Sequence, residues 1–263
     1  MAVGTDLRVL GPLEAEVRGR VLELGGPRVR VVLAMLVAET GRVVSVRSLA
    51  EGLWGPDAPP DAERTVRRYV SRLRAYLGPL DVVVTRPPGY VLSLTPDAVD
   101  AIRFERLATE GRRALDAEQP DTASASLTRA LALWRGEPYA EFGQNPALVA
   151  EGVRLAEVRL SVLCDRIQAD LAVGCDAELI AELEALVHAY PGHERPWTQL
   201  ITALYRAGRQ ADALSAFRRV RDVLVGEFGL EPSPRLAELH RQVLAHDTRL
   251  RAVLPWPRVA GWQ

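Results

Sequence analysis

The chain has 263 residues, of which 48% are hydrophobic and 25% charged, with a net charge of −1 and no apolar run that approaches the length of a membrane span. These values indicate a soluble protein of about two ordinary domains, and the lack of a basic and then apolar leader at the N-terminus predicts a cytoplasmic location. All 33 basic residues are arginine, which excludes chemistry that needs a lysine, such as a P-loop, a Schiff base or a lysine general base.

Short strands and two helices are predicted at the start of the chain. Strands are expected at residues 7–10, 13–17 and 21–24, and in the second and third of these apolar and polar residues alternate clearly, as in an antiparallel sheet with one exposed face. A first helix follows over 27–40 and ends at a glycine, and a second runs from Ser45 to Trp54 with Ser45 as its N-cap.

Residues 60–78 predict a third helix with two incompatible faces. At 100° per residue, one apolar stripe contains Val66, Val70, Leu73 and Leu77. The side chains that point away from this stripe are Arg64, Arg68, Ser71 and Arg72, and those on its flanks are Thr65, Arg67 and Arg74. A buried stripe behind a row of guanidinium groups is typical of a helix that is held on a small core and pressed against a polyanion.

A hairpin is predicted directly after this helix. Two β-branched runs, 82–85 and 90–94, flank the turn Arg86-Pro87-Pro88-Gly89. A recognition helix followed by a hairpin with a basic tip is the layout of a winged helix, in which the helix enters the major groove and the hairpin arginine reaches a narrow minor groove.

The charge distribution agrees with nucleic-acid binding by the first part of the chain. Residues 1–96 contain 13 arginines and 10 acidic residues, a net +3, whereas the rest contains 20 arginines and 24 acidic residues, a net −4. A basic first domain beside an acidic second domain favours contact with phosphates through the first domain alone.

The second part of the chain is predicted to be helical almost throughout. We expect three divisions: residues 1–96, a helical domain over 97–250, and a C-terminal tail over 251–263. Breaks containing Gly or Pro separate helices expected at 102–118, 121–135, 145–173, 176–190, 194–207, 209–227 and 233–247.

A degenerate tetratricopeptide pattern is present within these helices. Its apolar positions are Trp197, Leu200, Ala213 and Phe217, and one period earlier Leu163, Leu179 and Leu183, closed by Pro191. Helical hairpins of this kind stack into concave surfaces that usually bind proteins. The predicted fold class is therefore an α+β winged helix followed by an all-α, tetratricopeptide-like domain.

Several segments together resemble the SARP family, the antibiotic regulatory proteins of actinomycete-type bacteria. The segments are Leu7–Glu14, Arg64–Arg74, Arg86–Tyr90 and Leu131–Pro138, and the resemblance covers residues 5–248. It implies an OmpR-like winged helix joined to a bacterial transcriptional activation domain, in an activator of secondary-metabolite gene clusters. The implied partners are double-stranded DNA carrying direct repeats, a second copy on that DNA, and RNA polymerase holoenzyme, which places the protein at the nucleoid.

The resemblance also implies which residues contact DNA: Arg64, Thr65, Arg67, Arg68, Ser71, Arg72 and Arg74 on the helix, and Arg86 on the wing. From the helical angles we expect Arg64, Arg68, Ser71 and Arg72 to face bases. Arg67 and Arg74 are expected to hold phosphate. We expect residues 1–96 to bind DNA without the remainder, because they contain the helix, its core and the wing.

Two other classes of protein fit the sequence less well. An enzyme is not predicted: the four histidines are scattered, and Cys164 and Cys175 lack metal-site spacing and indicate buried thiols, so we expect no catalytic residue, metal or cofactor. A helical adaptor that binds only protein would not need the arginine row and the wing. Three points stay open, namely whether Tyr69 is simply packed, whether loop 55–60 contacts polymerase or is a plain connector, and whether the tail with Trp256 and Trp262 docks on a partner.

Overall fold

A computed structural model of the chain describes residues 5–78 and 82–250. It contains two compact units: the first comprises residues up to 108 together with 129–160, and the second comprises 109–128 together with the residues from 161 onward. The element order confirms the predicted fold class, because a winged helix with two small sheets precedes a succession of helices. The predicted tail lies outside the described residues.

The first unit begins with a three-stranded antiparallel sheet. Its strands, in spatial order, are β1 (Thr5–Arg8), β2 (Glu14–Val17) and β3 (Arg20–Val21). The first strand was predicted two residues later, at 7–10. That prediction was wrong because the N–H groups of Val9 and Leu10 donate to the carboxylate of Asp100, at 2.8 and 3.1 Å. Local alternation of residues cannot indicate a partner so far along the chain.

Three helices follow and form the core of the winged helix. They are α1 (Pro27–Ala38), α2 (Val46–Trp54) and α3 (Ala62–Leu77). Leu33 and Leu36 of α1, Leu49 of α2 and Leu73 of α3 have no exposed surface, and the three helices contact one another. The predicted cap is confirmed, since the Ser45 hydroxyl accepts a hydrogen bond from the Ser48 N–H at 2.9 Å.

The wing is part of a second antiparallel sheet. Its strands are β4 (Val43–Ser45), β5 (Val83–Arg86) and β6 (Gly89–Leu92), in the spatial order β4-β6-β5. A Cβ atom at Gly89 would lie 1.9 Å from the Val44 carbonyl oxygen. Glycine is therefore required where β6 runs close beside β4, the strand with which it pairs.

The contacts of the first unit extend beyond residue 96. Glu141 accepts from the guanidinium group of Arg30 at 2.7 Å and from the Leu13 N–H at 2.8 Å. Burial alone would raise the pKa of Glu141, but these hydrogen bonds lower it. Asn145 donates to the Gly52 carbonyl at 2.9 Å. A fragment 1–96 would lose these contacts, so we expect it to be less stable than a self-sufficient domain, and its ability to bind DNA alone stays a prediction.

The remaining helices match the predicted set within a few residues at each end. They are α4 (Asp100–Asp116), α5 (Pro120–Leu131), α6 (Pro146–Ala172), α7 (Asp176–Ala189), α8 (Glu194–Arg206), α9 (Gln210–Phe228) and α10 (Pro234–Leu244). Helix α8 packs against both α7 and α9, as in stacked helical hairpins. No helix in the described ranges is long and apolar enough to cross a membrane.

The side chains of the repeat pattern form much of the core of the second unit. Trp197, Leu200 and Ala213 are at most 3% exposed, and the Trp197 indole N–H donates to the Pro191 carbonyl at 2.9 Å. Leu163, by contrast, is only half-buried, which agrees with a degenerate repeat.

The two cysteines lie in different environments. Cys164 is buried, and burial raises the pKa of its thiol to about 11. Cys175 is only half-buried because it precedes the first turn of α7. The prediction of two buried thiols is therefore correct for Cys164 and wrong for Cys175.

We expect Asp100→Ala to destabilise the protein by about 2–4 kcal/mol, because two buried backbone N–H groups would lose their acceptor. Urea denaturation followed by circular dichroism would measure this. The matched control is Asp57→Ala at an exposed position of the turn after α2, where we expect less than about 0.5 kcal/mol. Equal stabilities of the two variants would contradict an anchoring role for Asp100.

Candidate nucleic-acid interface

Helix α3 is fixed in the core by one face. Val66, Val70, Leu73 and Leu77 are at most 3% exposed, which confirms the predicted stripe. Tyr69 is 8% exposed and its ring lies 6.4 Å from that of Trp54, centroid to centroid, in a stacked arrangement. The packing interpretation of Tyr69 is therefore confirmed. A helix held along its length in this way presents a defined opposite face.

The opposite face of α3 carries exposed arginines. Arg64, Arg68 and Arg72 recur every four residues and are exposed, as is Ser71. Within residues 5–78 and 82–250, no carboxylate forms a salt bridge with any of these three guanidinium groups. They are available to an external polyanion, for which the forked guanidinium group is well suited.

Arg67 lies at the side of this row and has a protein partner. Its guanidinium group is 3.2 Å from the Glu63 carboxylate one turn earlier, and both side chains are more than half exposed. An exposed pair of this type is weak and would exchange for a phosphate contact at small cost.

Thr65 and Arg74 differ from the other predicted contacts. Thr65 is only 8% exposed, and its hydroxyl lies 3.3 Å from an Asp61 carboxylate oxygen, to which it donates. Arg74 is half-buried and donates to Val83 and Thr85 of the wing. The sequence pattern did not indicate these partners, because the helix angle alone places both residues on the flank of the exposed face. A DNA contact by either residue stays a prediction.

The wing presents the last of the predicted residues. Arg86 is exposed at the end of β5, beside the exposed Pro87-Pro88 turn. No carboxylate among the described residues forms a salt bridge with it. The structure therefore offers two exposed basic elements, the face of α3 and the wing tip. Groups of three or more His, Cys, Asp or Glu side chains that could hold a metal do not occur in the part of the chain that the structure describes.

Comparison with known proteins defines the class. Residues 19–92 match the family described as "Transcriptional regulatory protein, C terminal", and residues 99–244 match the "Bacterial transcriptional activator domain". An OmpR-type winged helix followed by this helical domain defines a DNA-binding transcriptional regulator of the activator type, a class without enzymatic activity.

The chain is similar to several regulators along most of its length. The regulatory protein DnrI of Streptomyces peucetius is 38% identical over 252 residues, which cover 92% of this chain and 93% of that protein. The regulatory protein AfsR of Streptomyces coelicolor is 41% identical, but the match covers 24% of its length. The structure of Mycobacterium tuberculosis EmbR in complex with a low-affinity phosphopeptide has a TM-score of 0.90 and 35% identity, covering 94% of this chain and 68% of that one. The chain belongs to the SARP family.

We expect Arg72→Ala to reduce discrimination between the specific operator and random duplex by roughly 1–3 kcal/mol, because a forked contact to a base edge would be lost. Titrations of both duplexes at one salt concentration would measure the difference. Arg67→Ala is the matched control on the same helix, and we expect it to weaken both duplexes similarly as a phosphate contact. Unchanged discrimination in Arg72→Ala would contradict its assignment to the bases.

Proposed function

We propose that the protein is a sequence-specific activator that inserts α3 into the major groove of its operator and directs the wing at the adjacent minor groove. The observation that carries this proposal is the row Arg64, Arg68 and Arg72, which is exposed and forms no salt bridge within the described residues, on a helix whose other face is buried. Arg64, Arg68, Ser71 and Arg72 face the bases and Arg67 holds phosphate. The exposed Arg86 enters the minor groove, where narrow A·T tracts concentrate negative potential.

The first part of the chain supports binding to phosphates by its charge, which is +3 over residues 1–96. Each arginine that neutralises a phosphate releases a condensed counterion, so the affinity falls steeply with salt. A helical adaptor that binds only protein has no reason to show this dependence on duplex DNA. If the protein does not bind duplex DNA at low salt, or if its affinity for DNA does not change with salt, the adaptor function is favoured.

The operator is proposed to consist of direct repeats that two copies of the protein occupy in the same orientation. One basis is membership in the SARP family. The other is that each copy has a single recognition helix, α3, which can read only a short stretch of DNA. Half-sites about one helical turn apart, roughly 10–11 base pairs, place both copies on one side of the duplex, where they can contact each other.

Inserting about half a turn, roughly 5 base pairs, between the half-sites is expected to abolish joint binding, because one half-site rotates to the opposite side of the duplex. DNase footprinting and gel-shift titration would detect the loss. Inserting a full turn, roughly 10 base pairs, is the matched control and is expected to restore part of the cooperativity. An unchanged footprint and affinity after the half-turn insertion would refute the tandem arrangement.

The helical part of the chain is proposed to contact RNA polymerase holoenzyme and thereby activate a secondary-metabolite gene cluster. Two observations support it: the match of residues 99–244 to a bacterial transcriptional activator domain, and the packing of α8 between α7 and α9 as in protein-binding helical repeats. The net charge of −4 beyond residue 96 makes this part unsuited to phosphate and suited to a protein partner.

Transcription with purified holoenzyme on an operator-containing template tests this role. We expect the full chain to lower the polymerase concentration needed for half-maximal transcript, because a bound activator adds a second contact for polymerase at the promoter. Arg72→Ala, added at the same concentration, is expected to lose this effect together with operator occupancy. Full occupancy of the operator without any change in transcript would contradict recruitment and leave DNA binding intact.

A further inference from the structure

The last turn of α3 is joined to the wing by one arginine. The Nε and Nη2 groups of Arg74 donate to the Val83 carbonyl oxygen at 2.9 and 2.7 Å, and Nη2 also donates to the Thr85 hydroxyl at 2.8 Å. The guanidinium carbon lies 5.6 Å from the centroid of the Tyr90 ring. Arg74 therefore contacts both strands of the hairpin.

The strand register explains why Val83 needs such a partner. Ser93 donates to Val82 at 2.7 Å, and Val83 pairs with Leu92 in the antiparallel register. Hydrogen-bonded and non-hydrogen-bonded pairs alternate in such a ladder, so the Val83 carbonyl points away from β6. Since β5 is the edge strand of its sheet, this carbonyl faces an open edge, and Arg74 supplies its donor.

We propose that Arg74 is a positioning residue that fixes the wing relative to the recognition helix, and so sets where Arg86 meets the DNA. Strand β6 pairs with β4 and β5, whereas β5, which carries Arg86, pairs with β6 alone among the described strands and receives the hydrogen bonds of Arg74 on its other edge. Because Arg74 holds β5 against the end of α3, the position of Arg86 in the minor groove depends on the position of α3 in the major groove. This proposal rests on the proposed function of the wing.

The geometry separates this role from a phosphate contact. A phosphate contact needs positive charge, which lysine retains, whereas two bonds to one carbonyl and a third to a neighbouring hydroxyl need the planar fork of arginine. Arg74→Lys therefore tests the proposal more sharply than Arg74→Ala. Thr85→Val removes one acceptor from the wing with little change in shape or charge, and serves as a second, milder variant.

The test is a double-mutant cycle on operator affinity, made with the full chain. We expect Arg74→Lys and Arg86→Ala each to weaken operator binding roughly five- to tenfold, and the double variant to lie within about twofold of Arg86→Ala, because both changes remove the same wing contact. The matched control is Arg67→Ala combined with Arg86→Ala, whose effects are expected to multiply, because the two variants remove independent contacts. Wild-type affinity in Arg74→Lys, or multiplicative effects in its cycle, would overturn the proposal.

Hydrogen exchange of the DNA-free protein gives an independent measurement. Arg74→Lys and Thr85→Val are expected to accelerate exchange at the amides of Val84 and Val91, whereas Arg67→Lys leaves it unchanged. If the wild-type chain does not prefer its operator over random duplex, the proposed function fails, and this experiment still decides whether Arg74 holds the wing. Unchanged exchange at both amides in both wing variants would overturn it.

Discussion

The packing of α3 against α1 and α2 is the constraint on which the rest of the structure depends. Val66, Val70 and Leu73 are almost completely buried, so the helix cannot rotate without exposing a large apolar surface. That restriction fixes the direction of the opposite face. The arginines on it have long, flexible side chains, but their Cα positions are set to within the tolerance of a packed core. Recognition of a base sequence requires a recognition helix of fixed orientation. A helix that rotated about its axis by one residue would present different hydrogen-bond donors to the groove.

The same core depends on parts of the chain that are distant in sequence. Asp100 accepts from the backbone after β1, and Glu141 binds Arg30 and Leu13. Asp100 is buried, so its two hydrogen bonds contribute more than bonds at the surface, whereas Glu141 is exposed but makes charge-assisted hydrogen bonds. The sequence pattern changes near residue 96, but hydrogen bonds connect residues on both sides of that position. The division of function between a DNA-binding part and an activating part remains a proposal about roles.

Local patterns were sufficient for most elements and failed where a distant partner decides. The helices of the second half were predictable because Gly and Pro mark their ends and apolar residues recur at the helical period. The winged helix was predictable from one amphipathic helix followed by a Pro-Gly turn. The first strand was displaced because Asp100 captures the N–H groups of Val9 and Leu10, and no alternation of residues encodes that contact.

Local sequence is also insufficient to assign the residues of the candidate site, as the absence of lysine illustrates. Every cation of the chain is an arginine, so residue type does not distinguish a side chain that binds DNA from one that holds the fold. Their immediate partners do. Glu141 binds Arg30, and a strand carbonyl that needs a donor binds Arg74. By contrast, no carboxylate within residues 5–78 and 82–250 forms a salt bridge with Arg64, Arg68 or Arg72. The planar fork that reads a guanine edge also ties a helix to a strand. Which of the two it does depends on whether the folded chain places an acceptor in reach, and this is settled by tertiary structure.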